Sequence, residues 1–92
     1  MANNHENIEF ENDRVKVVRV KLGLHEKHPA RARKDRVIVY LTDAHHARTE
    51  PGGKKEELHR RAGDVAWRPA SEHEIENLSD KTVEVLIVEL KG

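Results

Sequence analysis

The chain has 92 residues, enough for one domain with a small core. Its 17 basic and 17 acidic residues cancel, which argues against nucleic acid or an anionic membrane as a partner, and the absence of cysteine excludes disulfides and thiolate metal sites. No apolar run approaches the ~20 residues of a membrane-crossing helix and the first residues lack an apolar signal-peptide core, so a cytoplasmic protein is expected.

Hydrophobic residues make up 36% of the chain against 37% charged, a lean ratio, but the apolar residues are gathered in periodic runs, which predicts a folded domain. Residues 1–7 read as a flexible tail and 8–92 as the single domain. Arg14 to Leu24 carries Val15, Val17, Val18, Val20, Leu22 and Leu24, an alternation whose parity switches once. That switch predicts a strand with a bulge at Val17-Val18. Val37-Ile38-Val39-Tyr40-Leu41 is short, β-branched and apolar throughout, the pattern of a strand covered on both faces. Lys54 to Arg61 follows the turn Pro51-Gly52-Gly53 and reads as the return strand of a hairpin, although Lys-Lys-Glu-Glu with Leu58 would also support a helical turn. Val65-Ala66-Trp67 is a short strand after Gly63-Asp64, and Val83 to Leu90, after Ser79-Asp80-Lys81, is a central one. With further turns at Asn12-Asp13 and Thr42-Asp43, the spacing is close to the roughly 8–12 residues of all-β sandwiches and barrels.

Two stretches carry chemistry. Gly63, Pro69, His73 and Asn77 stand at intervals that resemble the second motif of the cupin family, G-x5-P-x-G-x2-H-x3-N, with one residue fewer between proline and histidine and without the inner glycine. Pro29-Ala30-Arg31-Ala32-Arg33 is similar to the P-x-H-x-H frame of that family's first motif. Arg31 and Arg33 occupy its two histidine positions, His25 its glycine position, and its glutamate falls near Arg36 or Val37, neither of which is a carboxylate. The resemblance runs from Phe10 to Lys91. It implies an all-β, cupin-like jelly-roll β-barrel of two packed antiparallel sheets with ligands held inside. Of the metal ligands it implies, only His73 is present.

Residues two apart on a strand share a face, so Arg31 and Arg33 at those positions enter the barrel together, with Asp35 in the same parity as an internal ion-pair partner. Two guanidinium forks, His73 as donor or proton acceptor and Trp67 as an apolar wall would suit the carboxylate or phosphate of a small organic anion. The alternatives stay open at this level. The arginine stems can instead swing past Ala30 and Ala32 into water, while Trp67 and His73 serve packing alone. In another arrangement His25 and His28 fold back to join His73 around a divalent transition metal, giving an oxygenase- or isomerase-type enzyme. Protonated guanidinium groups at Arg31 and Arg33 oppose that cation, so no metal cofactor is expected. His45-His46, beside a turn, point to opposite faces and form no matched ligand pair. His5 and His59 read as surface residues, and Asn77 either bonds across the barrel or caps a turn. No serine nucleophile or phosphate-cradling glycine loop stands in a recognisable setting. The expectation is therefore a small-molecule-binding or assembly module rather than an enzyme. A homodimer is expected because two strands apolar on both sides need cover on both faces.

Overall fold

The β-branched runs at Val15–Leu22, Arg36–Tyr40 and Val83–Leu90 lie side by side in the middle of one sheet, flanked on each edge by a neighbouring strand. The structure is a computed structural model that describes residues 6–91, except for the side chains of residues 30 and 31. Nine strands follow in chain order: β1 (Glu6–Glu11), β2 (Val15–Leu22), β3 (Lys27–Arg33), β4 (Arg36–Tyr40), β5 (Ala44–Thr49), β6 (Lys55–Arg60), β7 (Val65–Arg68), β8 (Ser71–Asn77) and β9 (Val83–Leu90). They form a five-stranded sheet in the order β1-β2-β9-β4-β7 and a four-stranded sheet in the order β3-β8-β5-β6, all pairs antiparallel. The expected all-β jelly roll of two packed sheets is what the chain forms.

The core lies between the sheets. Leu22, Tyr40, Ala44 and Val83 make one buried cluster, and Val18, Val20 and Ile87 another, with Ile38 and Val85 packed against both. Lys55–Arg60 is a strand pairing with β5, as the hairpin reading has it, and β9 is central between β2 and β4. Gly63 has φ +93°, a backbone conformation that L side chains rarely adopt; its N–H donates to the Tyr40 carbonyl at 2.7 Å, and the turn around it closes with Asp64 N–H to Arg61 O at 2.9 Å.

Two local expectations are corrected. The bulge is not in β2, whose register with β9 is unbroken from Val15↔Leu90 to Leu22↔Val83. It lies in β1, between Ile8 and Phe10, opposite Val18 and Val17. Val18 packs inside with Val20 and Ile87, while Val17, on the outer face, is flanked by its cross-strand partners Phe10 and Val88; both are buried, and the apolar run needs no change of parity. The expected tail of residues 1–7 overlaps β1, since Glu6 and Asn7 pair with Val20 and Arg19; residues 1–5 lie outside the described residues.

Asn77, 0% exposed, joins the sheets at the end of β8. Its side-chain nitrogen donates to the carbonyls of Leu22 (3.1 Å), Gly23 (2.9 Å) and Lys81 (2.8 Å), while its oxygen accepts from Ser79 N–H and Oγ–H. Two N–H groups are thus shared among three carbonyls from both sides of the barrel. Replacing Asn77 by Ala leaves these groups without their partner and should cost about 3 kcal/mol or more. Asn77→Asp, of the same shape but unable to donate when ionised, should cost at least as much in urea unfolding. A neutral Asn77→Asp would show that shape, not donation, is what the site needs.

Candidate functional site

Strand parity decides what fills the barrel. On β4 the inward positions are Arg36, Ile38 and Tyr40; on β5 they include His46 and Arg48; on β7, Arg68; on β8, His73 and Ile75. Together with Arg33 at the end of β3 these residues line an internal cavity of about 90 Å³. Four arginines, Arg33, Arg36, Arg48 and Arg68, face it, and no Asp or Glu is among its lining residues. The remaining wall is apolar, chiefly Val20, Leu22, Ile38, Val85 and Ile87. A wider depression of about 270 Å³ lies beside it, lined by Arg48, Glu50, Pro51, Ser71, Glu72 and His73. Arg48 and His73 belong to both, so they stand where the interior meets the outside.

Arg36 is 2% exposed and donates to the carbonyls of Lys34 (3.1 Å) and Pro69 (3.4 Å). Burial, then repulsion from Arg33, Arg48 and Arg68, pulls its pKa down to about 10, with Glu89 opposing; it remains protonated at neutral pH. The Nε of Arg48 is buried without a hydrogen-bond partner among the described residues. Both buried imidazoles are held neutral. Burial, reinforced by Arg48, Arg36, Arg33 and Arg68, pushes His73 down to about 4, and burial with Arg60, Arg68 and Arg48 does the same to His46. The cavity therefore combines fixed positive charge with two neutral rings, each able to donate or accept one hydrogen bond.

The residues singled out in the sequence divide. Arg33 and His73 line the cavity, and the backbone of β3 pairs Arg31 with His73 and Arg33 with Ser71, which brings the two motif stretches side by side. The Arg31 side chain lies outside the described residues. His28 also faces the cavity although its parity differs from that of Arg33, because a register shift between His28 and Arg31 interrupts β3. Trp67 is not a wall of the pocket. It pairs with Val37 on the outer face of the five-stranded sheet and is 54% exposed, one position out of phase with the inward Ala66 and Arg68. Asp35 does not enter either: it is exposed between β3 and β4, where its carboxylate accepts from Ala70 N–H at 2.7 Å. His25 sits in an exposed turn at φ 56°, so His25, His28 and His73 are not brought together as a ligand set.

Arg36, Arg48, Arg68, His46 and Tyr40 escaped the sequence reading. The signal was present in their parity with Ile38, Ala44 and Ala66, yet arginine on an inward position runs against the usual burial preference. The motif resemblance implies a metal held inside the barrel, but the donor chemistry here does not suit one. The positions expected to carry histidine carry arginine, and His73 faces four guanidinium groups that repel a divalent cation.

In sequence, the chain matches no protein-family model and no curated protein. In structure it is similar to a cupin domain from Bordetella pertussis Tohama I, with a TM-score of 0.88 at 24% identity over 95% of this chain and 92% of that one. A cupin superfamily protein from Desulfitobacterium hafniense matches with a TM-score of 0.70 at 19% identity, over 95% of this chain and 76% of that one. The polyketide cyclase RemF from Streptomyces resistomycificus matches with a TM-score of 0.72 at 16% identity, over 95% of this chain and 64% of that one. These likenesses establish the fold.

The two buried imidazoles make stability depend on acid. Each has a folded pKa of about 4 against an ordinary 6.5, so below 6.5 the unfolded chain binds more protons than the folded one. Stability is therefore fully present above pH 6.5 and should fall as the pH drops towards 4, by up to roughly 3 kcal/mol for each ring. Urea midpoints measured between pH 7 and 4 test this. His46→Gln or His73→Gln should flatten the profile, and an unchanged slope in both would refute the assignment.

Proposed function

We propose that this small cupin-fold domain binds a small organic anion inside its barrel. The observation that carries the reading is the convergence of Arg33, Arg36, Arg48 and Arg68 on one cavity whose lining includes no carboxylate. Burying guanidinium charge is unfavourable unless it is matched, and an anion supplies both the charge and the acceptor that Arg48 Nε lacks. A carboxylate or phosphate can accept from two N–H groups of one guanidinium at once. The cavity of about 90 Å³ corresponds to about three waters in volume. It therefore takes the charged head, and the apolar wall or the adjoining depression takes the rest of the molecule. Neutral His46 and His73 complete the hydrogen bonds without adding charge. A metal-dependent enzyme built on His73 with His25 or His28 is not favoured, because those three donors do not converge.

We further propose that the domain is a homodimer through the outer face of the five-stranded sheet. Across that face the register sets Phe10, Val17, Val88, Val37 and Trp67 in one row, with Leu86, Val39 and Val65 beside it. Phe10, Val65 and Trp67 are all more than half exposed. A second copy is the partner that fits. Near the apolar row Arg19 is already bonded to Glu9 and Glu84, and Lys91 to Glu11, so two like faces meet without net repulsion.

At matched ionic strength, small mono- and dicarboxylates and phosphate should raise the melting temperature. A ligand at 100 times its Kd adds about 2.7 kcal/mol, worth roughly 10 °C or more in a domain of this size. Arg33→Ala and Arg48→Ala should abolish that shift while Trp67→Ala keeps it. No response to any such anion, or equal responses in the arginine variants, would sink the anion reading. For the dimer, sedimentation should show a concentration-dependent association that Trp67→Glu and Phe10→Glu each weaken. A parent chain that remains monomeric at high concentration removes the proposal.

A further inference from the structure

The outer face of the four-stranded sheet holds a second cluster, on the opposite side of β5 from the cavity. His45 on β5 and His59 on β6 are direct cross-strand partners, and their rings stack with centroids 4.1 Å apart and planes 15° from parallel. Glu57 precedes His59 by two residues and so shares its face; its Oε2 lies 2.6 Å from His45 Nε2. It leans diagonally towards His45 over its own cross-strand partner Ala47, which is buried beneath it. One ligand atom from each of the three residues lies within 4.8 Å of the others, the only such group of His, Asp and Glu among the described residues.

We propose that His45, Glu57 and His59 form a divalent transition-metal site on the outside of the barrel, distinct from the interior region where the fold places its metals. Two imidazole nitrogens and one carboxylate oxygen suit Zn²⁺, Ni²⁺ or Cu²⁺ rather than Mg²⁺ or Ca²⁺. Metal–ligand bonds of about 2.0–2.2 Å set adjacent donors roughly 3–3.4 Å apart, so binding requires the Glu57 carboxylate to move back from His45 and the two stacked rings to turn until their in-plane nitrogen lone pairs converge. Glu57 and His59 are exposed and His45 half-exposed, which leaves further coordination positions to water.

The surrounding charge favours a cation here and opposes it inside. Glu72, Glu74 and Glu76 of β8 lie in the outward parity, with Glu76 in the same cross-strand row as Ala47 and Glu57. Against them on this face stand Lys27, which pairs with Glu74 at 3.3 Å, and Lys55. The inward positions of the same sheet carry Arg33, Arg48, His46 and His73. Strand β6 is the sheet's edge and pairs only with β5, so an ion held by both strands also fastens that edge.

Calorimetric titration of the untagged chain with Zn²⁺ tests the site. One equivalent should bind, and His45→Ala, Glu57→Gln and His59→Ala should each weaken it at least about tenfold, the lower range seen for losing even an outer partner of a ligand. His25→Ala, His28→Ala and His73→Ala should leave the affinity unchanged. Substoichiometric Cu²⁺ should broaden the imidazole resonances of His45 and His59 and spare those of His46 and His73. The proposal is overturned by the absence of a one-equivalent event, by an affinity that survives His59→Ala, by a loss in His73→Ala instead, or by an equal response to Mg²⁺.

Discussion

The side-chain amide of Asn77 links the last residue of β8 to the end of β2 and to the approach to β9, so one buried group ties the four-stranded sheet to the five-stranded one. Hydrophobic contact between sheets is nondirectional and would tolerate sliding; an amide sharing two N–H groups among three fixed carbonyls does not. The Ser79 contacts on the amide oxygen orient the group further. With this end of the barrel fixed, the inward positions of β3, β4, β5, β7 and β8 meet across one cavity in a defined register.

That register collects arginines where a core of this size would gain more from leucine. Their mutual repulsion is visible at Arg36, and the same charges with burial keep His46 and His73 neutral. Desolvating Arg36 and the partnerless Nε of Arg48 costs stability, which the apolar clusters around Val18, Leu22 and Ile87 must offset. Local disagreement between burial and chemistry of this kind is characteristic of sites rather than of scaffolds.

Alternation along β5 separates two kinds of chemistry by the thickness of one sheet. His46 and Arg48 point inward to a cationic cavity; His45 points outward to Glu57 and His59 on a face rich in glutamate. A net charge of zero conceals this division, since the whole-chain sum averages an interior of one sign against a surface of the other.

By itself the sequence determined the fold class, the central strands and the hairpin ending in β6, while the pairing of the two motif stretches came from the tertiary structure. The first three depend on local turn chemistry and a repeat of two, which are properties of adjacent residues. The motifs singled out Arg33 and His73, and both line the cavity. Tertiary structure decided the rest. The β3 register shift brings His28 and Arg33 to one cavity, and the unbroken register of β2 moves the bulge to β1. The parity of β7 turns Trp67 outward and Arg68 inward, and Asp35 leaves the strand before it can pair with an arginine. Parity puts Arg36, Arg48 and Arg68 on inward positions, but their convergence on one cavity and the meeting of His45 with His59 depend on which strands pair. A one-residue change of register reverses which face a side chain occupies, and register is set by partner strands distant in the chain.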